Sequence, residues 1–300
     1  MGETHQQDPH TPVLQDEVLQ ALKPAPGESY MDTTAGYGGH AEAILKITRS
    51  PERAVLIDRD GQAAEHLMQK FGKAGARVIR KDYLSASRDL AEMGEKYDMI
   101  LADLGVSSPH LDQPERGFSF RVSGPLDMRM DSRQQLSADE IVNQWPEEKL
   151  AQMIRDFGEE PKARKVASAI VKNRPIADTS TLAEIVSRAI GKRFSNRRIH
   201  PATRTFQAIR IAVNEELLQL ALSLPVWEDL LAPGGRLAVI SFHSLEDRVV
   251  KRYFAEHAQN TYDSELRLLT KKPLIKSKTK TDNNPRARSA KLRAAVKIKT

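Results

Sequence analysis

Through the first third of the chain, short apolar runs alternate with stretches whose apolar residues recur every three or four positions. The runs at 29–32, 54–58, 77–79 and 99–103 read as strands, while 15–22, 61–71 and 84–93 read as helices. Strands and helices alternating at this pace predict a parallel α/β sheet. The rhythm then changes. From about 112 to about 204, a loop rich in Gly, Pro, Met and Phe leads into helical periodicity at 138–145, 147–157, 162–172 and 181–190, with no strand-like run between them. This predicts a helical insertion, and in an open α/β sheet an insertion sits beside the carboxyl ends of the strands, where ligands bind. The sheet resumes after a long helical run over 205–231. Pro233, Gly234 and Gly235 stop that run, 236–241 is a fifth strand, 245–257 is an amphipathic helix, and 266–270 and 294–299 are two weaker strands. The expected organisation is a sheet domain in two parts, 1–111 and 205–300, with 112–204 inserted.

Composition changes this picture in three ways. The 300 residues, 40% hydrophobic and 29% charged, describe a globular protein. No window approaches the roughly 18 uninterrupted apolar residues of a membrane span, and residues 1–9 carry no signal-peptide core, so the expectation is a cytoplasmic protein. The absence of cysteine excludes disulfides, cysteine-ligated zinc and covalent attack by a thiolate on a pyrimidine ring. The net charge of +6 is uneven, for residues 271–300 carry eleven Lys or Arg against one acid, a net +10 that leaves −4 on the remainder. Such a tail points either to a polyanionic partner, most often nucleic acid, or to a solvated segment.

Candidate chemistry collects at the strand ends. The first strand runs into Gly36, Gly38 and Gly39 before a helix start, a turn in which glycines admit a ligand to the backbone and the helix offers unpaired N–H groups. Asp58, about twenty residues further on, stands where nucleotide-binding folds hold ribose hydroxyls. Asp32 and Asp103, near the ends of the first and fourth strands, converge on the same crevice, and Asp103 is placed to accept from an adenine amino group or from an amine on the ligand. An adenosine joined to an amino acid, such as S-adenosylmethionine, uses all three acids. A dinucleotide calls for G-x-G-x-x-G, where this chain has His40 and Ala41 after Gly39. Ser107, Ser108 and Pro109 follow the fourth strand, where enzymes that methylate exocyclic amines hold the target nitrogen; a turn without chemistry is the plain alternative. Phe118 or Phe120 can stack on a flipped base or pin the loop to the core, and Met128 and Met130 read as core. Arg204, Gln207, Arg210 and Asn214 fall on one side of a helix, a stripe for phosphates or for water. His243, beside the end of the fifth strand, can orient the base, accept a proton, or cap the following helix with Ser244.

The segments 10–14, 32–40, 58–60, 103–109, 116–120, 124–131, 200–210, 234–248 and 285–293 resemble, in order and over nearly the whole chain, the bacterial enzymes that methylate N4 of a cytidine in small-subunit ribosomal RNA. The resemblance implies a class I S-adenosylmethionine-dependent methyltransferase, α/β and Rossmann-like, with a mostly parallel sheet, a terminal antiparallel strand and an inserted all-α domain. It implies transfer of a methyl group from S-adenosyl-L-methionine to a specific cytidine of 16S rRNA within the assembled small subunit, with no metal, no membrane, and room for a homodimer. Cofactor contacts carried over by motif fall on Gly38, Gly39, His40, Asp58, Tyr83, Asp103 and His110; Tyr83 stands where the family usually has Phe, and His110 where Gln is common. The catalytic set is Asp103, Ser107, Ser108, Pro109 and His243, with RNA contacts at Phe118, Phe120, Arg204 and Arg210. Two other readings stay open on the sequence. One is a nicotinamide-dependent dehydrogenase, disfavoured by the glycine spacing and by the antiparallel strand pair; the other is a ribosome-binding assembly factor that keeps the pocket and catalyses nothing.

Overall fold

The structure, a computed structural model, describes residues 12–191, 200–259, 264–276 and 288–299, the side chain of Ser108 excepted. Motif residues 10–11 and 285–287, and much of the basic stretch at 277–287, lie outside them. In chain order the elements are α1 (Gln15–Leu22), β1 (Tyr30–Asp32), α2 (Gly39–Thr48), β2 (Ala54–Ile57), α3 (Gly61–Phe71), β3 (Arg77–Ile79), α4 (Tyr83–Glu92) and β4 (Tyr97–Asp103). Then come α5 (Ser108–Asp112), α6 (Ala138–Gln144), α7 (Glu147–Gly158), α8 (Ala163–Lys172), α9 (Thr179–Ile190) and α10 (Thr203–Asn214). The chain continues with α11 (Glu216–Leu230), β5 (Leu231–Ser241), α12 (Ser244–His257), β6 (Leu266–Leu268) and β7 (Lys291–Lys297). Packing divides them into two units, one up to Gly105 and from Leu218 on, the other Val106–Leu217.

The first unit is built on one seven-stranded sheet in the order β3-β2-β1-β4-β5-β7-β6. The pairs β3–β2, β2–β1, β1–β4 and β4–β5 are parallel, and β7 runs antiparallel to both β5 and β6. This is the arrangement expected of a class I methyltransferase, and the antiparallel strand sits inside the sheet rather than at its edge. Side chains alternate between two cores, as a period of two requires. Met31, Val55, Ile57, Ile100, Ala102, Leu237 and Val239 pack with Leu84, Leu224, Trp227, Val250 and Phe254 of α4, α11 and α12. Tyr30, Leu56, Met99, Leu101, Ala238 and Ile240 pack with Val18, Ile44 and Leu67 of α1, α2 and α3. Apolar on both faces, these strands read as continuous apolar runs rather than alternating ones. Trp227 is fully buried and its indole N–H donates to Ser87 Oγ at 2.9 Å.

Part of the basic C-terminal segment is used by this sheet. Lys291 Nζ donates to Asp247 Oδ2 at 3.0 Å and Arg293 Nε to Asp247 Oδ1 at 2.6 Å, tying β7 to α12. Burial raises the Asp247 carboxyl, but Arg293 and Lys291 outweigh it and hold the group below its usual range. Lys297 Nζ donates to the Glu228 carbonyl at 3.0 Å. These three cations are therefore committed to the fold, which subtracts from the charge that the tail presents.

The second unit is all helical in its regular structure among the described residues. Its core takes Leu126, Met128, Ile141, Leu150, Ile154, Val166, Ile170, Leu182, Val186, Phe206 and Ile209, so Met128 and Met130 are core as expected. The expected limits of 112 and 204 differ from the packing limits of Val106 and Leu217. The run 205–231 is two helices, broken where Glu215 takes φ 51°, and α10 puts Phe206, Ile209 and Val213 into the all-α core. Apolar periodicity alone does not register that break. The loop before α6 is held by Asn214, whose Oδ1 accepts from Met130 N at 2.9 Å and whose Nδ2 donates to the Met128 carbonyl at 2.8 Å. Among the described residues no helix is long and apolar enough to cross a membrane.

Candidate functional site

The sheet unit gathers most of the sequence-selected acids at the carboxyl ends of β1, β2 and β4. Ala35 N donates to the Ile57 carbonyl and Thr33 N to the Leu101 carbonyl, which spreads the turn after β1 across both neighbouring strands. Gly36 N donates to Asp58 Oδ2 and Asp60 N to Asp58 Oδ1, both at 2.8 Å. Asp58 therefore clips the glycine turn to the end of β2, the position at which nucleotide-binding folds meet ribose hydroxyls. Gly38 caps α2 with φ 78°, and a Cβ there would lie 2.3 Å from the Phe71 ring. The turn thus needs glycine for conformation and for space at one position. Beyond it the first amides of α2, from Gly39 on, point out of the helix end without a helical partner.

Three ionisable groups meet beside this turn. Asp32 is buried, its Oδ2 accepting from Tyr30 Oη at 2.7 Å and its Oδ1 from Thr34 N at 3.2 Å. His40 Nε2 lies 3.6 Å from Asp103 Oδ2, beyond hydrogen-bond distance. Both ring nitrogens of buried His40, and Asp103 Oδ1, have no hydrogen-bond partner. Asp103 N donates to Thr34 Oγ1 at 2.6 Å. Tyr30 and Thr34 escaped the sequence reading; Tyr30 shares a strand face with Asp32 two residues on, a signal that was available, while nothing in the spacing marks Thr34.

Burial pushes Asp32 up from 3.8 to about 6, against the Tyr30 hydroxyl, His40 and the Thr34 amide, which favour the charged form. An acid with a raised folded value binds its proton more tightly when folded, so its ionisation destabilises the fold above pH 6 and that cost fades as pH falls through 6 toward 4. At pH 8 such a rise corresponds to about 3 kcal/mol. Asp32→Asn keeps a partner for both Tyr30 Oη and Thr34 N. It is expected to raise the unfolding free energy by about 1–3 kcal/mol at pH 8 and by about a third of that at pH 4.5. Urea melts at the two pH values check this; an equal effect at both would remove the carboxylate charge as the cause.

The other sheet-unit residues have structural partners. Tyr83 is buried, its ring 5.5 Å from that of Trp227 and under the Arg59 guanidinium at 6.0 Å. His243 caps α12, with Nδ1 accepting from Glu246 N at 3.3 Å while Glu246 Oε2 accepts from Phe242 N at 2.7 Å. Of the alternatives open for His243, the cap is the one the structure displays.

The helical unit carries the remaining candidates. Ser107 N donates to His110 Nδ1 at 3.2 Å and Ser107 Oγ lies 3.0 Å from the same nitrogen, a capping box that starts α5, with Pro109 in its first turn. Of the two readings open for the aromatics, Phe118 takes the core one: it is buried, with its ring 4.9 Å from His110. Phe120 is half-buried between His200 at 4.6 Å and Phe206 at 4.7 Å, and with His200 and α9 it lines a cavity of about 510 Å³. The polar stripe of α10 is spent internally. Arg204 Nη1 donates to the Glu159 carbonyl at 2.9 Å, Gln207 Nε2 to the Phe157 carbonyl at 3.0 Å, and Arg210 forms a two-pronged pair with Glu216 at 2.8 Å. A helix stripe that fastens its own unit has the same spacing as one that grips phosphate, so the sequence could not separate them.

Comparison with known proteins shows the family. Residues 7–298 match the family described as the MraW methylase family. Ribosomal RNA small subunit methyltransferase H of Heliobacterium modesticaldum is 45% identical over 309 residues, covering 97% of this chain and 99% of that protein. The proteins of that name from Synechocystis sp. and Cyanothece sp. are 46% and 49% identical, covering 96% of this chain and 93% and 95% of theirs.

Proposed function

Because this chain belongs to the MraW methylase family, we propose that it transfers a methyl group from S-adenosyl-L-methionine to the exocyclic N4 amine of a specific cytidine in 16S rRNA of the small ribosomal subunit. The observation that carries the reading is the end of β1 and β4, where a glycine turn, the start of α2 and the unpartnered atoms of His40 and Asp103 meet. Orphaned polar atoms cost stability unless a ligand satisfies them. A nucleoside joined to an amino acid, which brings hydroxyls, an amine and a positive charge, suits that set.

When bound, S-adenosylmethionine supplies an electrophilic methyl carbon, to which the amine nitrogen bonds as the sulfur–carbon bond breaks and the amine gives up a proton. Around it Asp58 accepts from ribose hydroxyls, and Gly38, Gly39 and His40 present the backbone of the α2 start. Asp103 accepts from the adenine amino group or from the target amine. Ser107, Ser108 and Pro109 hold the target amine, where accepted hydrogen bonds draw it out of conjugation with its ring and raise its nucleophilicity. Absence of cysteine is consistent with direct attack. Phe120 is the aromatic candidate for a base of the RNA. We place the reaction in the cytoplasm.

The test is transfer of labelled methyl from S-adenosylmethionine to purified small subunits that lack the modification, followed by nucleoside mass analysis. Label is expected in N4-methylated cytidine. Label in another nucleoside, or none while calorimetry shows cofactor bound, overturns the proposal.

A further inference from the structure

The His40 imidazole is buried, has no hydrogen-bond partner at either nitrogen, and lies 3.6 Å from a carboxylate whose other oxygen is also without a partner. Its place follows from the sequence. Gly38 starts α2 with φ 78°, which makes His40 the second helical residue, and side chains lean toward the start of their helix. The ring is therefore held over the end of the sheet. Two carboxylates act on this region, and their hydrogen bonds distinguish them. Asp32 has both oxygens engaged, by Tyr30 Oη and Thr34 N. Asp103 has its backbone fixed by Thr34 Oγ1, yet Oδ1 is unpartnered and Oδ2 stands 3.6 Å from His40 Nε2.

We propose that His40 is a positioning residue for Asp103. As ligand fills the pocket, Nε2–H closes the few tenths of an ångström to Oδ2 and fixes the carboxylate torsion, so that Oδ1 faces the amine it receives. This rests on the reading of Asp103 as the group that accepts from an amine. The imidazole needs only to carry its proton on Nε2, and no net proton transfer is required.

A double-mutant cycle on the full chain tests the inference, with methyl transfer to unmodified small subunits and calorimetric binding of S-adenosylmethionine as readouts. His40→Ala is expected to lower kcat about 10- to 100-fold. His40→Gln, which returns an amide donor near the Nε2 position, is expected to recover most of that loss. In the Asp103→Asn background, His40→Ala is expected to cost less than about twofold more, because the group it serves has already gone. A loss of the same size in both backgrounds overturns the inference, as does a His40→Ala enzyme of full activity. Should His40→Ala fail to fold, His40→Gln decides: retained kcat supports the donor role and an equally deep loss overturns it. Full activity in Asp103→Asn alone removes the underlying reading instead.

Discussion

Asp103→Asn is expected to lower the rate of methyl transfer by about 10²- to 10³-fold, the range found when one preorganised polar group aimed at a developing charge is removed. The substitution is close to isosteric, and its structural consequences are small for identifiable reasons. The residue ends β4, its N–H is held by Thr34 Oγ1 whatever the side chain, and Oδ1 supports nothing within the protein. Its side chain is 25% exposed, so neutralising it brings no large change in solvation. The loss falls on the ligand, since an amine presented to an amide meets a second donor over half of the group that formerly only accepted. Single-turnover transfer to unmodified small subunits, beside thermal melts of the same preparations, separates the two effects. An enzyme of normal rate and normal melting temperature would show that Asp103 holds nothing that matters to the reaction.

Gly117→Ala is expected to destabilise the helical unit by about 3 kcal/mol or more, since a positive φ and a backbone collision both oppose the new methyl group. Gly117 has φ 71°, and a Cβ would lie 2.2 Å from the Pro125 carbonyl oxygen and 2.8 Å from Asp127 N. Neither atom can swing aside as a side chain does. Gly117 N donates to the Pro114 carbonyl and Met128 N to the Arg116 carbonyl, so the strands of the loop are laced on both sides of the contact. Gly27 is the control, for it has φ 84° but nothing within 4 Å of the added carbon, and Gly27→Ala isolates the conformational cost of about 1 kcal/mol. Urea melts of both variants check the comparison. Equal losses would mean that the loop yields and the close approach carries no weight.

Much of the sheet was legible because its inner strands are buried on both faces. Ala54–Ile57 appears as a short apolar run bounded by turn residues, and Gly61–Phe71 shows a helix at its expected limits. The interior place of β7 was not legible, because an apolar run states that a strand is buried without stating its neighbours. At the site, the acids at strand ends were legible from topology, since parallel strands deliver their carboxyl ends to one edge. The internal partners of the α10 stripe were not legible, because Arg204, Gln207 and Asn214 reach backbone carbonyls, and carbonyls leave no trace in a sequence. Phe118 and Phe120 share a motif and a residue type; only their packing separates a buried ring from one that lines a cavity.

The interior position of β7 also orders events during synthesis. β5 ends at Ser241 and β7 begins at Lys291, so about fifty residues must be added before β5 gains its second neighbour. At roughly 5–20 residues per second that is about 3–10 seconds, during which the growing chain offers an unpaired, apolar strand edge and β6 has no strand to join. The interval before β7 is made is thus the one in which this sheet is most open to pairing with another chain.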